Sequence, residues 1–531
     1  MKIEIKPLNK ADSGFLIAFA ALLFGGWIRI YTAVSAGFPI NDGGMFYKMT
    51  EVILQHNFKI PPYFSYNGQT IAFAYPPLAF LISAGVNQFL DIPLLDIFQF
   101  LPAVILVGTI PAFFGLAFTV LGDKLQAGIA TFIFALTPRS ITWFIMGGGI
   151  TRSLGLLFLI LAVNFLYHVY ITPSRRYVYF ALFFCVLVVL THPEAAVHTA
   201  AIALLLWIFY ARTWGGFWRT TIIGVGTLVL TATWWLPLIL NVGFDPFIAA
   251  GQTGMNSAAG IFYPFVHFDD EPYITFIMVF GFLGIVTELA SSRFFLTVLY
   301  FLPFFIEFRN AGNIAILPLA LLGSSTICNL LVPGMQNVFS KTASSGDSNG
   351  YRFWLFLGGS SFISIYLLSA MSYHSVNLAN QHVTRLNREA MDWIKNNSTE
   401  NSAFLVLTGY NDPIRDWTSE WFPALTDRVS LATVQGREWV NGDNFENVIN
   451  NYQAFQSCLA SEYPLVCILD ESTRQDLEID YIYIGKELTE KPDQPTPQVG
   501  NILFQLGQSD SFRKVFDSMA VSVFERTNLL K

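Results

Sequence analysis

Long uninterrupted apolar runs dominate the first 370 residues. They lie near 15–35, 97–121, 125–144, 150–171, 177–191, 194–211, 218–240, 272–289, 293–308, 313–332 and 352–373. A run of about twenty apolar residues matches the roughly 30 Å hydrocarbon core of a bilayer when helical. Eleven such runs predict a polytopic α-helical membrane protein. Composition agrees: 53% of the 531 residues are hydrophobic and 13% are charged, against about 25% charged in soluble chains. A net charge of -7 offers no electrostatic footprint for nucleic acid. The first run follows Lys2, Lys6 and Lys10, and Val34-Ser35-Ala36 has the outline of a cleavage site. The run is long for a signal core and right for a retained span.

Pro77 to Leu90 is apolar but short, so charge decides its place. If it does not span and the N-terminus is cytoplasmic, Lys124, Arg175, Arg176, Arg212, Arg219, Arg293, Lys341 and Arg352 all face the cytoplasm. Lys48, Lys59, Arg139, Arg152 and Arg309 remain outside. The positive-inside rule favours this arrangement. It puts Pro77–Leu90 in the first external loop, lying on the membrane. External segments 36–96, 138–149 and 241–271 are then long enough to build a site. The Ser/Gly-rich stretch 333–351 reads as a cytoplasmic linker.

Composition turns soluble after His374. Helices are expected over Asn387–Asn396 and Phe445–Ser461, and strands over Ala403–Thr408, Leu465–Leu469, Asp480–Ile484 and Ala520–Glu525. The division is a transmembrane domain over 1–373 and an extracytoplasmic α/β domain over 374–531. Cys458 and Cys467 fall in the latter and can pair if their Cα atoms lie within about 7 Å. Cys185 and Cys328 sit in apolar runs as inert core residues.

Few polar groups stand where chemistry is expected. Asp42, beside Gly43-Gly44, follows the first span; it can bind a divalent cation or act as a base, or cap the helix that follows. Tyr75-Pro76-Pro77 closes the same loop. His192-Pro193-Glu194 interrupts an apolar region, and ionisable groups there are functional candidates; otherwise they form a polar turn with Pro at a helix start. Asp245, Asp269, Asp270 and Glu271 give the third external loop four carboxylates and no Lys or Arg. Arg309 stands at an external span end, where a guanidinium suits a phosphate; the alternative is a salt bridge with Glu307.

In order, these features resemble the GT-C membrane glycosyltransferases, above all the catalytic subunit of oligosaccharyltransferases. The resemblance is carried by Asn41-Asp42-Gly43, Met146-Gly147-Gly148, Asp245-Pro246-Phe247, Arg309 followed by Ile316–Gly323, and Glu389–Ile394. It implies that Asp42 serves as the catalytic carboxylate or a ligand of Mn²⁺ or Mg²⁺, with Asp269, Asp270 and Glu271 as candidate further ligands. It gives Arg309 the phosphate of a polyprenyl-phosphate-linked sugar, and makes Glu194 a candidate second carboxylate. Tyr75, His192, Glu420 and Trp421 are placed on the acceptor side. The partners implied are that donor, membrane lipid, and an acceptor of unspecified class. Two departures stand out. The second external segment reads Gly147-Gly148-Gly149-Ile150-Thr151-Arg152, without a carboxylate. The WWDYG signature is absent, its place holding Thr408–Pro413, which argues against a protein sequon as acceptor.

The reading is a glycosyltransferase acting at the external face of the cell membrane. The alternatives are an inactive GT-C-like subunit or scaffold, and a transporter. A transporter needs a polar site at midplane, whereas the polar residues here gather at one face.

Overall fold

The computed structural model describes residues 10–172, 174–252, 274–307, 310–334, 348–431, 433–441, 444–486 and 499–527. Asp269, Asp270, Glu271 and Arg309 lie outside the described residues, as does most of the 333–351 linker.

A helix occupies each of the eleven apolar runs. Among the described residues six helical segments are long and apolar enough to cross a membrane: Asp12–Ala36, Leu94–Leu121, Gly149–Ile171, Pro193–Tyr210, Trp214–Val242 and Ala311–Gly334. The run expected over 125–144 is cut short. Its helix α5 (Lys124–Leu136) ends at Thr137 because Pro138 follows, and residues 138–140 form a 3₁₀ turn. A residue before proline is pushed out of the helical region, and Thr137 is extended. Pro77–Leu90 yields the thirteen-residue helix α3 (Leu78–Leu90), which at 1.5 Å per residue reaches about 20 Å and falls short of a bilayer.

The membrane-helix core is built on α1 (Lys10–Ala36), packed between α4 (Leu94–Leu121) and α5. In chain order α6 (Gly149–Ile171), α7 (Arg175–Val189) and α8 (Pro193–Tyr210) follow, with α6 packed against both of the others. The helix Ala311–Thr326 is buried along its whole length. Arg29 is 0% exposed inside this core. Its guanidinium donates to the carbonyls of Gly25 (2.9 Å) and Ala135 (2.7 Å) and to Ser140 Oγ (2.8 Å). A cation is favourable at the C-terminus of α5, where carbonyls lack helical partners.

After α1 come α2 (Gly44–Gln55), a hairpin of β1 (Tyr63–Tyr66) and β2 (Gln69–Ala72), and α3. Asn67 and Gly68 turn the hairpin with φ of 51° and 71°, the left-handed pair a two-residue hairpin requires. The Asn67 side chain also exchanges hydrogen bonds with the backbone of Ser430 at 3.0 and 2.6 Å. The first loop is thereby tied to the C-terminal region.

That region carries a five-stranded sheet in the order β4-β3-β5-β7-β6. β4 (Val429–Ser430), β3 (Ala403–Leu407) and β5 (Tyr481–Gly485) run parallel; β7 (Val521–Arg526) is antiparallel to β5, and β6 (Phe512–Asp517) to β7. Helices fall at Arg385–Asn397 and Phe445–Ser457, where they are expected. Leu465–Leu469 is a correction: it belongs to the helix Pro464–Arg474. Pro464 starts that helix, and the buried residues Pro464, Ile468 and Ser472 recur every fourth position, a helical rather than a strand period. Cys458 and Cys467 are joined by a disulfide with Cα atoms 5.6 Å apart; Cys185 is a buried thiol.

Candidate active site

A cavity of about 360 Å³ opens where the helical bundle meets the first loop and the C-terminal region. That volume lies in the range of small-molecule sites. Asp42, Tyr75, His192, Glu194 and Glu420 line it, five of the residues singled out in the sequence. Asp245 does not line it. Trp421, expected on the acceptor side, is fully buried instead. Its indole N–H donates to Asn41 O at 2.8 Å, and its ring meets Phe38 edge-on at 5.0 Å. It supports the Asp42 loop from beneath.

Asp42 does not cap α2. The N-cap is Gly43, with φ of 128°, a conformation open to glycine and strained for other residues. The Gly43 N–H donates to Glu420 Oε1 at 3.3 Å, so an acceptor 377 residues away satisfies the backbone donor at the α2 N-cap. Asp42 is left facing the second external segment. Its Oδ1 accepts from the Gly148 N–H at 3.0 Å, and its Oδ2 pairs with Arg152 Nη2. The two loops nearly touch: Gly147 N–H donates to Ile40 O at 2.8 Å and Gly148 N–H to Asp42 O at 3.2 Å. A Cβ at Gly147 would collide with the Asp42 carbonyl, which explains the glycines of Met146-Gly147-Gly148.

Arg152 is the site residue that sequence reasoning passed over. It stands in the first turn of α6 and lines the cavity. The available signal was a guanidinium directly after a triple glycine, among the few basic residues that run against the expected charge bias. Its position bears on metal binding. Among the described residues no three His, Cys, Asp or Glu side chains converge. The Asp42 oxygens already face a guanidinium and a backbone N–H. A fixed positive charge on that carboxylate repels a second cation, so these residues do not fit a divalent ion at Asp42.

The opposite wall belongs to α8 and the start of Ala311–Thr326. His192 N-caps α8, its Nδ1 accepting from the Ala195 N–H at 3.3 Å. Pro193 opens the helix and Glu194 occupies its first turn, as expected of a polar turn. The same turn aims Glu194 at the cavity, where Asn310 Nδ2 donates to its two oxygens at 3.0 and 3.2 Å. Pro413, Ile414, Val434 and Phe445 complete the C-terminal wall.

Glu420 has a pH consequence. Protein surrounds its carboxyl apart from the cavity side. Burial pushes its pKa well above the usual carboxylate range, and the nearby Asp42 and Glu438 charges add to the rise. A carboxyl whose folded pKa is raised holds its proton more tightly folded than unfolded. The stability it contributes is present at low pH and lost as pH climbs from the usual carboxylate value through the folded one. As pH rises above the usual carboxylate range the wild-type Tm should therefore fall relative to Glu420→Gln, whose amide stays neutral and can still accept from Gly43. Parallel Tm curves as pH rises would show that Glu420 is not protonated in the fold.

No protein-family model and no curated relative matches the sequence. Solved structures do. The archaeal oligosaccharyltransferase AglB from Archaeoglobus fulgidus, determined with an inhibitory peptide and a dolichol-phosphate, aligns at TM-score 0.56 and 12% identity over 89% of this chain and 69% of AglB. The mycobacterial arabinofuranosyltransferase AftD aligns at TM-score 0.56 and 15% identity over 98% of this chain, which spans 40% of AftD. ArnT from Cupriavidus metallidurans, bound to undecaprenyl phosphate, aligns at TM-score 0.53 and 12% identity over 96% of this chain and 97% of ArnT. The protein therefore has the fold of the GT-C membrane glycosyltransferases.

Proposed function

We infer that the protein transfers a sugar from a polyprenyl-phosphate-linked donor to an acceptor at the extracytoplasmic membrane face. The observation that carries this reading is Asp42, freed from capping and turned into a cavity that also holds Glu194 and the span-end residue Asn310. Asp42 orients the acceptor hydroxyl and takes its proton. The acceptor oxygen attacks the anomeric carbon as the bond to the lipid phosphate oxygen breaks, inverting that centre. Arg152 fixes the Asp42 carboxylate, and its pairing supports chemistry without a metal on that residue. Arg309 stabilises the charge growing on the departing phosphate. The polyprenyl phosphates bound to AglB and ArnT, proteins of the same fold, support the donor class.

One feature favours a second reading. The Arg152–Asp42 pair is closed, as an inactive scaffold subunit would tolerate. The test is to reconstitute the protein in liposomes with labelled polyprenyl-phosphate sugars and follow release of free polyprenyl phosphate. Turnover of any donor supports the transferase; no turnover across neutral, amino and acidic sugars supports the scaffold.

The reading requires eleven spans, a cytoplasmic N-terminus and residues 374–531 outside. An engineered cysteine near Gly507 should then react with an impermeant thiol reagent in intact cells, while one near Gly346 should not. The reverse pattern would place the cavity on the wrong side for this donor.

A further inference from the structure

Asn-X-Ser/Thr occurs twice in the 531 residues, and the two instances overlap: Asn396-Asn397-Ser398 and Asn397-Ser398-Thr399. This pattern is the acceptor signature for an N-linked sugar, a bulky group that needs a surface position outside the cytosol. The pair sits at the C-terminus of the helix Arg385–Asn397, beyond the last apolar run. Asn396 and Asn397 are both exposed. The chain leaves the helix at Ser398, which is extended with φ of -128° and ψ of 162°. Asn397 Nδ2 donates to the Trp393 carbonyl at 2.8 Å. An amide nitrogen carries two hydrogens, so a sugar can replace one while the other keeps this bond.

The two sequons differ in the hydroxyl that completes them. Ser398 completes the first, and it is half-buried and engaged on both sides. Its hydroxyl donates to Ile394 O at 2.7 Å and accepts from Arg428 Nε at 2.9 Å. Arg428 Nη2 also donates to Lys395 O and Ser398 O, each at 2.7 Å, filling carbonyls that a helix end leaves open. Thr399 completes the second; it is exposed, and its hydroxyl meets Ser402 Oγ at 2.8 Å. The second sequon thus offers amide and hydroxyl to solvent together, whereas the first has its hydroxyl locked into the helix end.

We propose that Asn397 is a glycosylation site: the chain is itself an acceptor of an N-linked glycan, supplied from a lipid-linked oligosaccharide by a sequon-reading membrane transferase. The new bond joins Asn397 Nδ2 to the anomeric carbon, and the bond from that carbon to the lipid phosphate oxygen breaks. One amide proton passes to a base of the transferase, and the lipid phosphate leaves as the anion. The inference rests on the proposed orientation, with residues 374–531 outside, and not on the activity proposed for this chain. The disulfide between Cys458 and Cys467 in the same region fits an oxidising compartment.

The experiment takes the full chain from the membranes of the cells that make it and cleaves it with trypsin. The peptide Asn396–Arg415 follows Lys395 and carries both sequons. Tandem mass spectrometry should find it heavier by whole sugar residues, with the addition on Asn397. Thr399→Ala destroys the second sequon and leaves the first; it should return the peptide to its unglycosylated mass. Asn396→Gln does the reverse and should keep the addition. Both substitutions fall on exposed side chains, and the mass is read on the cleaved chain, so a loss of activity in either variant does not obscure the result. An unmodified wild-type peptide would overturn the inference, as would an addition on Asn396 that survives Thr399→Ala. Labelling of the engineered cysteine near Gly507 on the same cells separates the failures. An unmodified peptide with an external Gly507 site ends the glycan inference and leaves the orientation standing. An unmodified peptide with an inaccessible Gly507 site ends both. Release of polyprenyl phosphate from a labelled donor decides the transferase reading independently of either.

Discussion

Asp42→Asn should lower the rate of sugar transfer by about 10² to 10⁴, the usual contribution of a positioned general base. The substitution is close to isosteric. The amide oxygen can still accept from the Gly148 N–H, so the loop contact at 3.0 Å survives. What disappears is the negative charge facing Arg152 and the capacity to take a proton. Arg152 keeps 18% side-chain exposure, so water can partly solvate the unpaired guanidinium. The Tm should therefore change little, since an ion pair within reach of water contributes only modestly. Initial rates with a labelled donor, read beside thermal unfolding, separate the two effects. A variant retaining more than a tenth of wild-type transfer would remove Asp42 from the chemistry. A variant that loses transfer together with a large fall in Tm would mean that the pair is structural.

The largest effect on stability is expected at Trp421. Its side chain is fully buried, against Phe38 and Tyr47 at centroid distances of 5.0 and 6.1 Å. Trp421→Ala should cost about 3–5 kcal/mol, as large aromatic truncations in packed cores do. Transfer should be lost as well, for a geometrical reason. The indole N–H holds Asn41 O, and Asn41 immediately precedes Asp42. A displacement of about 1 Å at a reacting group can reduce a rate about 10²-fold. Trp421→Phe separates the roles: it keeps most of the packing and drops the hydrogen bond, leaving the carbonyl of the buried Asn41 unpaired at about 1–3 kcal/mol. Unfolding in denaturant with activity on the same samples gives both numbers. A full-activity Phe variant would show that the loop is held by other contacts.

The helical membrane region was legible because apolar runs of bilayer length admit few structures. Errors fell where local signals compete. Leu465–Leu469 is five apolar residues, a length that periodicity cannot assign between strand and helix, and Pro464 decided it. The 125–144 run hid an early stop at Pro138. Asp42 was legible as a lone acid after a span, and Glu194 as an ionisable group among apolar neighbours. Arg152 was not, because its meaning lies in a partner 110 positions away. The same holds for the contact of Glu420 with the α2 N-cap, Gly43.

The seat of Asp42 is assembled from widely separated parts of the chain. Asn41 N–H donates to Gln381 O at 2.6 Å, Trp421 holds Asn41 O, and Glu420 holds Gly43. During synthesis the first loop leaves the translocation machinery long before residues 381–421 exist. At about 5–20 residues per second that interval is roughly 20–80 s. A nascent chain thus carries Asp42 in the membrane without the contacts that place it, and competence arrives only when the last third of the protein has been made and docked. Truncated products of stalled or cleaved translation would be inserted yet would lack the contacts that seat Asp42.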